Sequence, residues 1–383
     1  LAADGGEDDI DPAYQEIFIL VNLDVGLINY CLELHSGANL KSFYGLPEDA
    51  SVSSVMSELG ENVLGVITEG GSCAQTYVEN LDQWIWVGGS CTLVPEKGYW
   101  IIVVSDDDLC MVDATPTDPA IVYDLHSGAN LISFPSEGSV GVSDALPDEI
   151  EGSVVGVITE GGSCAQYTPG VWVGGQCSFH GGRGYWMVIT EDISFSYELD
   201  NLTRMKLHDS IGLTYPEGYE VLQSTRQAFY FVEDIWLSGE LISYNDWVLA
   251  YHGNTLVGAR KWNGEIIDIP VMGNDNIVAG TDRYSENGSV INIKVLQQST
   301  GTIFHVNDDI PTWKDNGLFV VGTLYANNVL PANIQLSAYP NPFNPSTTLC
   351  LSIPYEGMIQ ISIYNISGQE IAELTNEFQL PGT

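Results

Sequence analysis

Two stretches hold the residue types that could do chemistry, and each occurs twice. Leu34-His35-Ser36-Gly37-Ala38-Asn39-Leu40 returns as Leu125-His126-Ser127-Gly128-Ala129-Asn130-Leu131. Val63 to Gln75 (VLGVITEGGSCAQ) returns as Val154 to Gln166 (VVGVITEGGSCAQ). The two histidines are candidate bases or ligands. A base needs an orienting partner within hydrogen-bond reach. The acids that recur beside them are Glu33 and Asp124, two residues earlier and so on the same face of a strand. The Gly70-Gly71-Ser72-Cys73-Ala74 run and its twin Gly161 to Ala165 offer a serine after a strand. A nucleophile elbow also needs glycine at the fifth position and a helix after the serine. Alanine stands there, and Gln-Thr-Tyr or Gln-Tyr-Thr follows. The pattern predicts polar turn histidines and tight turns presenting a cysteine, with no catalytic residue.

The chain has seven cysteines. Cys73 and Cys91 in the first copy match Cys164 and Cys177 in the second, which predicts one disulfide per copy. The loops closed are short (91 − 73 = 18 and 177 − 164 = 13), each contributing roughly 3 kcal/mol in the chain-entropy picture. Zinc needs four ligands, and neither copy supplies CxxC or a nearby matched histidine. Cys31 and Cys110 flank the first copy and are placed to staple its ends; Cys350 is left over. Disulfides imply an oxidising, extracytoplasmic setting.

No cofactor is expected. Asp106-Asp107-Asp108 and Asp308-Asp309 are candidates for Ca²⁺, but they lack the spacing that fixes a calcium loop. The two acids of a glycosidase cannot be picked out of 51. The nine tryptophans could stack on sugars, although Trp100 and Trp186 recur at strand starts, which suits a core or interface. With 51 acidic against 11 basic residues the net charge is −40. That repels nucleic acid and anionic membranes and suits a solvated surface. No run of 18 apolar residues exists, so no membrane insertion is expected. The chain opens at Leu1 without a basic-then-apolar leader, which reads as a mature exported protein.

Turn residues punctuate short alternating runs throughout, and the fold class expected is all-β: tandem β-rich modules and β-sandwiches with few short helices. Both long repeats are offset by 91 (125 − 34 and 154 − 63). Trp86 to Gly89 and Gly98 to Trp100 match Trp172 to Gly175 and Gly184 to Trp186 at an offset of 86, so the first copy carries five extra residues around Tyr77 to Gln83. The domains expected are an acidic arm with one strand (1–28), repeat modules at 29–113 and 114–194, a third β-sandwich (195–330), and a terminal domain (331–383). In the arm, Ile17, Phe18, Ile19, Leu20 and Val21 form an apolar strand outside any repeat. Strands are expected at Ile28 to Leu34, Asn39 to Tyr44, Val63 to Thr68, Trp84 to Val87 and Tyr99 to Val104. A helix around Val52 to Leu59 should stop at Gly60.

Ala129-Asn130-Leu131-Ile132-Ser133-Phe134-Pro135, closing on Gly182-Arg183-Gly184-Tyr185-Trp186, resembles a repeat of secreted bacterial surface proteins that reads "G-W-N-L-I-S-x-P … G-x-G-Y-W"; here Ala38 and Ala129 replace the tryptophan. Residues 195 to about 328 look similar to a module that accompanies surface-anchored bacterial proteins. The most specific stretch is Leu336 to Thr348, with Pro340, Asn341, Pro342, Phe343, Asn344 and Pro345, followed by Ile361 to Glu370, with Tyr364, Asn365 and Gly368. It resembles the immunoglobulin-like C-terminal sorting domain of the type nine secretion system, without that family's last strands. The resemblance implies export across a bacterial outer membrane to the surface or medium. The function expected is an extracellular structural subunit of a filament, tube or surface layer. It would be a homopolymer joined by strand exchange through residues 17–21. The alternative is an adhesin that binds surface glycans.

Overall fold

The structure is a computed structural model that describes residues 26–80, 82–203, 214–275, 277–327, 334–339, 347–353, 357–365 and 367–379. The apolar strand at residues 17–21 and Pro340 to Pro345 lie outside the described residues. The chain is all-β, with a few helices of one turn or so.

Each repeat folds into a five-stranded antiparallel sheet. In the first, the order is Gly37–Ser42, Gly98–Val103, Val63–Thr68, Gly71–Val78, Gln83–Gly88. In the second, it is Gly128–Ile132, Tyr185–Ile189, Val154–Thr159, Gly162–Thr168, Val171–Val173. The two orders are the same. The five extra residues of the first copy lengthen its last hairpin, so its edge strand has six residues against three. Glycines serve the hairpin turns; Gly70 and Gly161 lie at φ of 72° and 63°, a region that side chains with a Cβ avoid.

One face of each sheet packs on its own core. In the first copy, Val63, Val66, Cys73, Tyr99, Ile101 and Val103 meet Leu32, Leu34, Leu109 and Met111 from a second layer. That layer pairs Ile28–Leu34 with Asp107–Pro116, a strand absent from the sequence reading, and sets Cys31 directly opposite Cys110. The helix is shorter than expected. Ser51 caps a turn at Val52–Val55, and a 3₁₀ segment, Ser57–Asn62, follows, with Gly60 at φ 54°. In the second copy, Phe134, Phe179, Tyr185 and Tyr197 form an aromatic core.

Residues 227–327 of the third module build one eight-stranded sheet. Its order is Glu240–Leu241, Gln227–Leu237, Leu318–Asn327, Thr302–Val306, Ile291–Gln297, Trp247–His252, Thr255–Lys261, and Ile267–Met272 pairs with the first half of Gln227–Leu237, on the same edge as Glu240–Leu241. Side chains from both ends of this order, among them Tyr230, Val257, Ile269 and Leu324, share one core. The sheet therefore wraps round a single interior. The pairing of Gln227–Leu237 with Leu318–Asn327 is parallel. Sequence periodicity carries no sign of strand direction, so this parallel pairing is not legible there. The hairpin turning at Gly253-Asn254 is as expected.

The last described segments form two separate two-stranded sheets, Gln335–Tyr339 with Thr348–Ser352 and Gly357–Tyr364 with Glu370–Gln379.

Candidate functional site

The outer faces of the two repeat sheets meet in a seam with local two-fold symmetry. Ser42 N donates to Gly182 O at 3.0 Å, and at the equivalent place Ser133 N donates to Glu96 O at 3.1 Å. Gly98 and Gly184, the glycines of the two Gly-Tyr-Trp runs, sit where the backbones cross. A Cβ on Gly98 would lie 2.8 Å from Ile132 O, and one on Gly184 would lie 2.8 Å from Lys41 O. Leu40, Trp100, Ile102 and Leu131 fill the seam, with Ala38 beside them. This explains why strand Gly98–Val103 is buried at every position: odd residues enter their own core, and even ones enter the seam.

The repeated histidines close the two ends of this seam. His35 Nε2 lies 2.5 Å from Glu160 Oε1, and His126 Nε2 lies 2.5 Å from Glu69 Oε1. The other carboxylate oxygens accept from the opposing strand: Leu40 N donates to Glu160 Oε2 at 2.9 Å, and Leu131 N donates to Glu69 Oε2 at 3.0 Å. Each Nδ1 meets a backbone oxygen, of Ser36 at 2.8 Å and of Ser127 at 2.9 Å. Both ring nitrogens thus face acceptors, and only the imidazolium can donate to both. The Glu160 hydrogen bond raises the His35 pKa against the opposing pull of burial. The Ser127 carbonyl, then Glu69, raise that of His126. Burial works to raise the Glu160 pKa, but His35, Lys41 and the Leu40 N–H together hold it below the usual carboxylate range. An imidazolium with both protons engaged has no lone pair with which to act as a base. These pairs are latches between the copies. Their partners come from the other repeat, 125 and 57 residues away, and not from Glu33 or Asp124.

The serine turn of the second copy meets a different partner. Asp268 is buried on strand Ile267–Met272. Its Oδ2 accepts from Ser163 N at 2.8 Å and Ser163 Oγ at 3.1 Å; its Oδ1 accepts from Gly175 N at 3.1 Å. Arg260 Nη2 lies 3.3 Å from Oδ1 and donates to Gly161 O at 2.9 Å. Gln227 Nε2 donates to Thr159 O at 2.9 Å. Phe229, Phe231 and Leu318 pack on Ile158, Ala165 and Val173 around this centre. Ser163 is therefore held as a hydrogen-bond donor in a closed interface and is not presented as a nucleophile.

All three cysteine pairs read from the sequence are bonded: Cys31–Cys110, Cys73–Cys91 and Cys164–Cys177. They indicate an oxidising environment. Among the described residues no group of three or more His, Cys, Asp or Glu side chains is placed to hold a metal ion, and no helix is long and apolar enough to cross a membrane. Asp107 and Asp108 open a strand, Asp107 accepting from Asn62 Nδ2, and Asp308 accepts from Tyr325 N. Trp100, Trp247, Trp262 and Trp313 are buried. Trp84 is 44% exposed beside Tyr77, ring centroids 5.4 Å apart. Tyr364 is exposed, and Asn365 Oδ1 caps the turn at Gly368 by accepting from Ser367 N and Gln369 N. No family model, curated protein or solved structure matches the chain.

Sequence reasoning missed Glu69, Glu160, Arg260 and Asp268. The first two carried a signal, being an identical acid in both copies beside the serine turn. Asp268 carried a fainter one, a lone acid in the apolar run Ile266-Ile267-Asp268-Ile269.

Proposed function

We propose that this protein is an extracellular structural subunit of a bacterial filament, tube or surface layer. Subunits join by strand exchange, with the apolar strand at Ile17 to Val21 as donor, and the 331–383 region serves as an export signal of the type nine kind. The observation that carries the reading is the state of the C-terminal strand pairs. Among the described residues each is a sheet of two strands, with Leu336 56%, Met358 65%, Ile371 64% and Phe378 58% exposed. An open strand edge beside apolar side chains is a template for a strand from another chain. Such a contact is head-to-tail and propagates unless rotation closes a ring. The net charge of −40 opposes close packing, so assembly should strengthen as salt screens it.

Negative-stain microscopy of the full chain and of a variant lacking residues 1–22 tests this. Regular polymers are expected from the first and none from the second; polymers that persist after the deletion would rule out exchange by the arm. A glycan-binding role is the second reading, supported by the exposed Trp84–Tyr77 pair. Retention on immobilised polysaccharide without polymers would favour it.

A further inference from the structure

The duplication gives the chain two copies of one sheet; both enter the seam with part of the outer face, and among the described residues the remainder, around the serine turn, is covered only in the second copy. In the second copy Ile158 is fully buried and Ala165 is 4% exposed beneath Phe229, Phe231 and Leu318. In the first copy the equivalent of Ala165, Ala74, is exposed, and Leu64 and Val87 beside it are each 45% exposed. Ser72, the equivalent of the buried Ser163, is exposed as well.

The first copy also ends in an unusual edge. The five extra residues extend its last strand to Gln83–Gly88, with sequence QWIWVG. It carries no charge and no proline, although the chain as a whole holds 62 charged side chains (51 + 11). Among the described residues no backbone group pairs with its outer edge. Natural edge strands are normally blunted by shortness, lysine or proline, as the three-residue edge Val171–Val173 is by shortness.

We infer that strand Gln83–Gly88 is a homodimer interface, pairing antiparallel with the same strand of a second copy of this chain to join two five-stranded sheets into one of ten. A two-fold axis perpendicular to the sheet brings like faces together. Ile85 and Val87 then adjoin Ile85 and Val87 of the partner copy, and Trp84 and Trp86 meet their counterparts on the inner side. Charge favours this arrangement over a parallel one. The acids of the hairpin tip, Glu79 and Asp82, fall beside the uncharged Gly88-Gly89-Ser90 end of the other chain. The two tips are then separated by a six-residue strand, roughly 20 Å, about two and a half Debye lengths at physiological salt. The module already associates with its own duplicate about a local two-fold, so a symmetric contact between sheets is a mode it uses. The contact is isologous and closed, distinct from the head-to-tail joint of the arm, and does not depend on it.

The test removes residues 1–22, so that the arm cannot join subunits, and compares this parent with an Ile85→Lys, Val87→Lys double variant and with Val171→Lys as the matched change in the second copy. Sedimentation in about 0.5 M salt, where screening is strong, should give twice the chain mass for the parent and for Val171→Lys, and the single mass for the double variant. Hydrogen exchange should show the amides of 83–88 slowed at least about tenfold in the parent relative to the double variant. If the double variant does not fold, Val87→Lys alone, at a side chain already half in solvent, is read in its place. A monomeric parent would overturn the inference. So would a dimer in which 83–88 exchanges freely, which would place the contact elsewhere.

Discussion

Replacing Asp268 by alanine should loosen the third module from the second repeat. The carboxylate is 2% exposed and receives Ser163 N, Ser163 Oγ and Gly175 N, with Arg260 beside it. Truncation leaves two backbone donors and a guanidinium, itself 22% exposed, facing an empty space. A buried donor left unpaired costs about 1–3 kcal/mol, and removing one partner of a buried ion pair costs about 3–5 kcal/mol. These overlap, because the same atoms are counted, and water entering the gap relieves part of the loss. We therefore expect about 3–5 kcal/mol in all. Asp268→Asn should cost less, since the side chain keeps an acceptor for one of the two donor groups and clashes only with the other. Because a chain with several modules need not unfold in one step, the loss is best read by hydrogen exchange at strands Gly162–Thr168 and Ile267–Met272, with urea unfolding followed by tryptophan fluorescence. Exchange at these strands should quicken while the Gly71–Val78 ladder is unchanged. A change below about 1 kcal/mol at both strands would show that Asp268 does not hold the interface, and the account of the buried serine turn would fall with it.

The latches of the repeat seam predict a pH window. The folded His35 pKa is raised, chiefly by Glu160, so its contribution is complete below the free imidazole value and is lost as pH rises through the raised value. The folded Glu160 pKa is lowered, so its contribution is present above the free carboxylate value and is lost as pH falls through the lowered one. The seam should be tightest from the free carboxylate value up to that of imidazole and weaken on either side. In an NMR titration Glu160→Gln should bring the His35 pKa down toward its free value; a His35 that titrates identically in both proteins would refute the pairing. The disulfides should rank by loop length. Separations of 79, 18 and 13 residues correspond to about 4.5, 3.2 and 2.9 kcal/mol in the chain-entropy model. Cysteine-to-alanine pairs should therefore lower the urea midpoint most for Cys31–Cys110, and a reversed order would show that entropy does not govern them.

The sequence by itself determined the duplication, the all-β class, the cysteine pairs and the place of the five-residue insertion. All are local or self-referential properties. A period of two marks a strand, glycine marks a turn, and two copies of one string must share a fold, so matched cysteines must share a bond. What it left open are meetings between residues far apart in the chain. Nothing near His35 announces Glu160, because the contact exists only when the two sheets cross at Gly98 and Gly184. Asp268 looked like an interruption of an apolar run until its strand was laid against Ser163. The parallel pairing of Gln227–Leu237 with Leu318–Asn327 is of the same kind, since alternation of side chains reads alike in both directions. Even the exposure of Ser72 against the burial of Ser163 is invisible in two matching strings; tertiary structure alone decides it, by placing the third module against the serine turn of the second copy and not against that of the first.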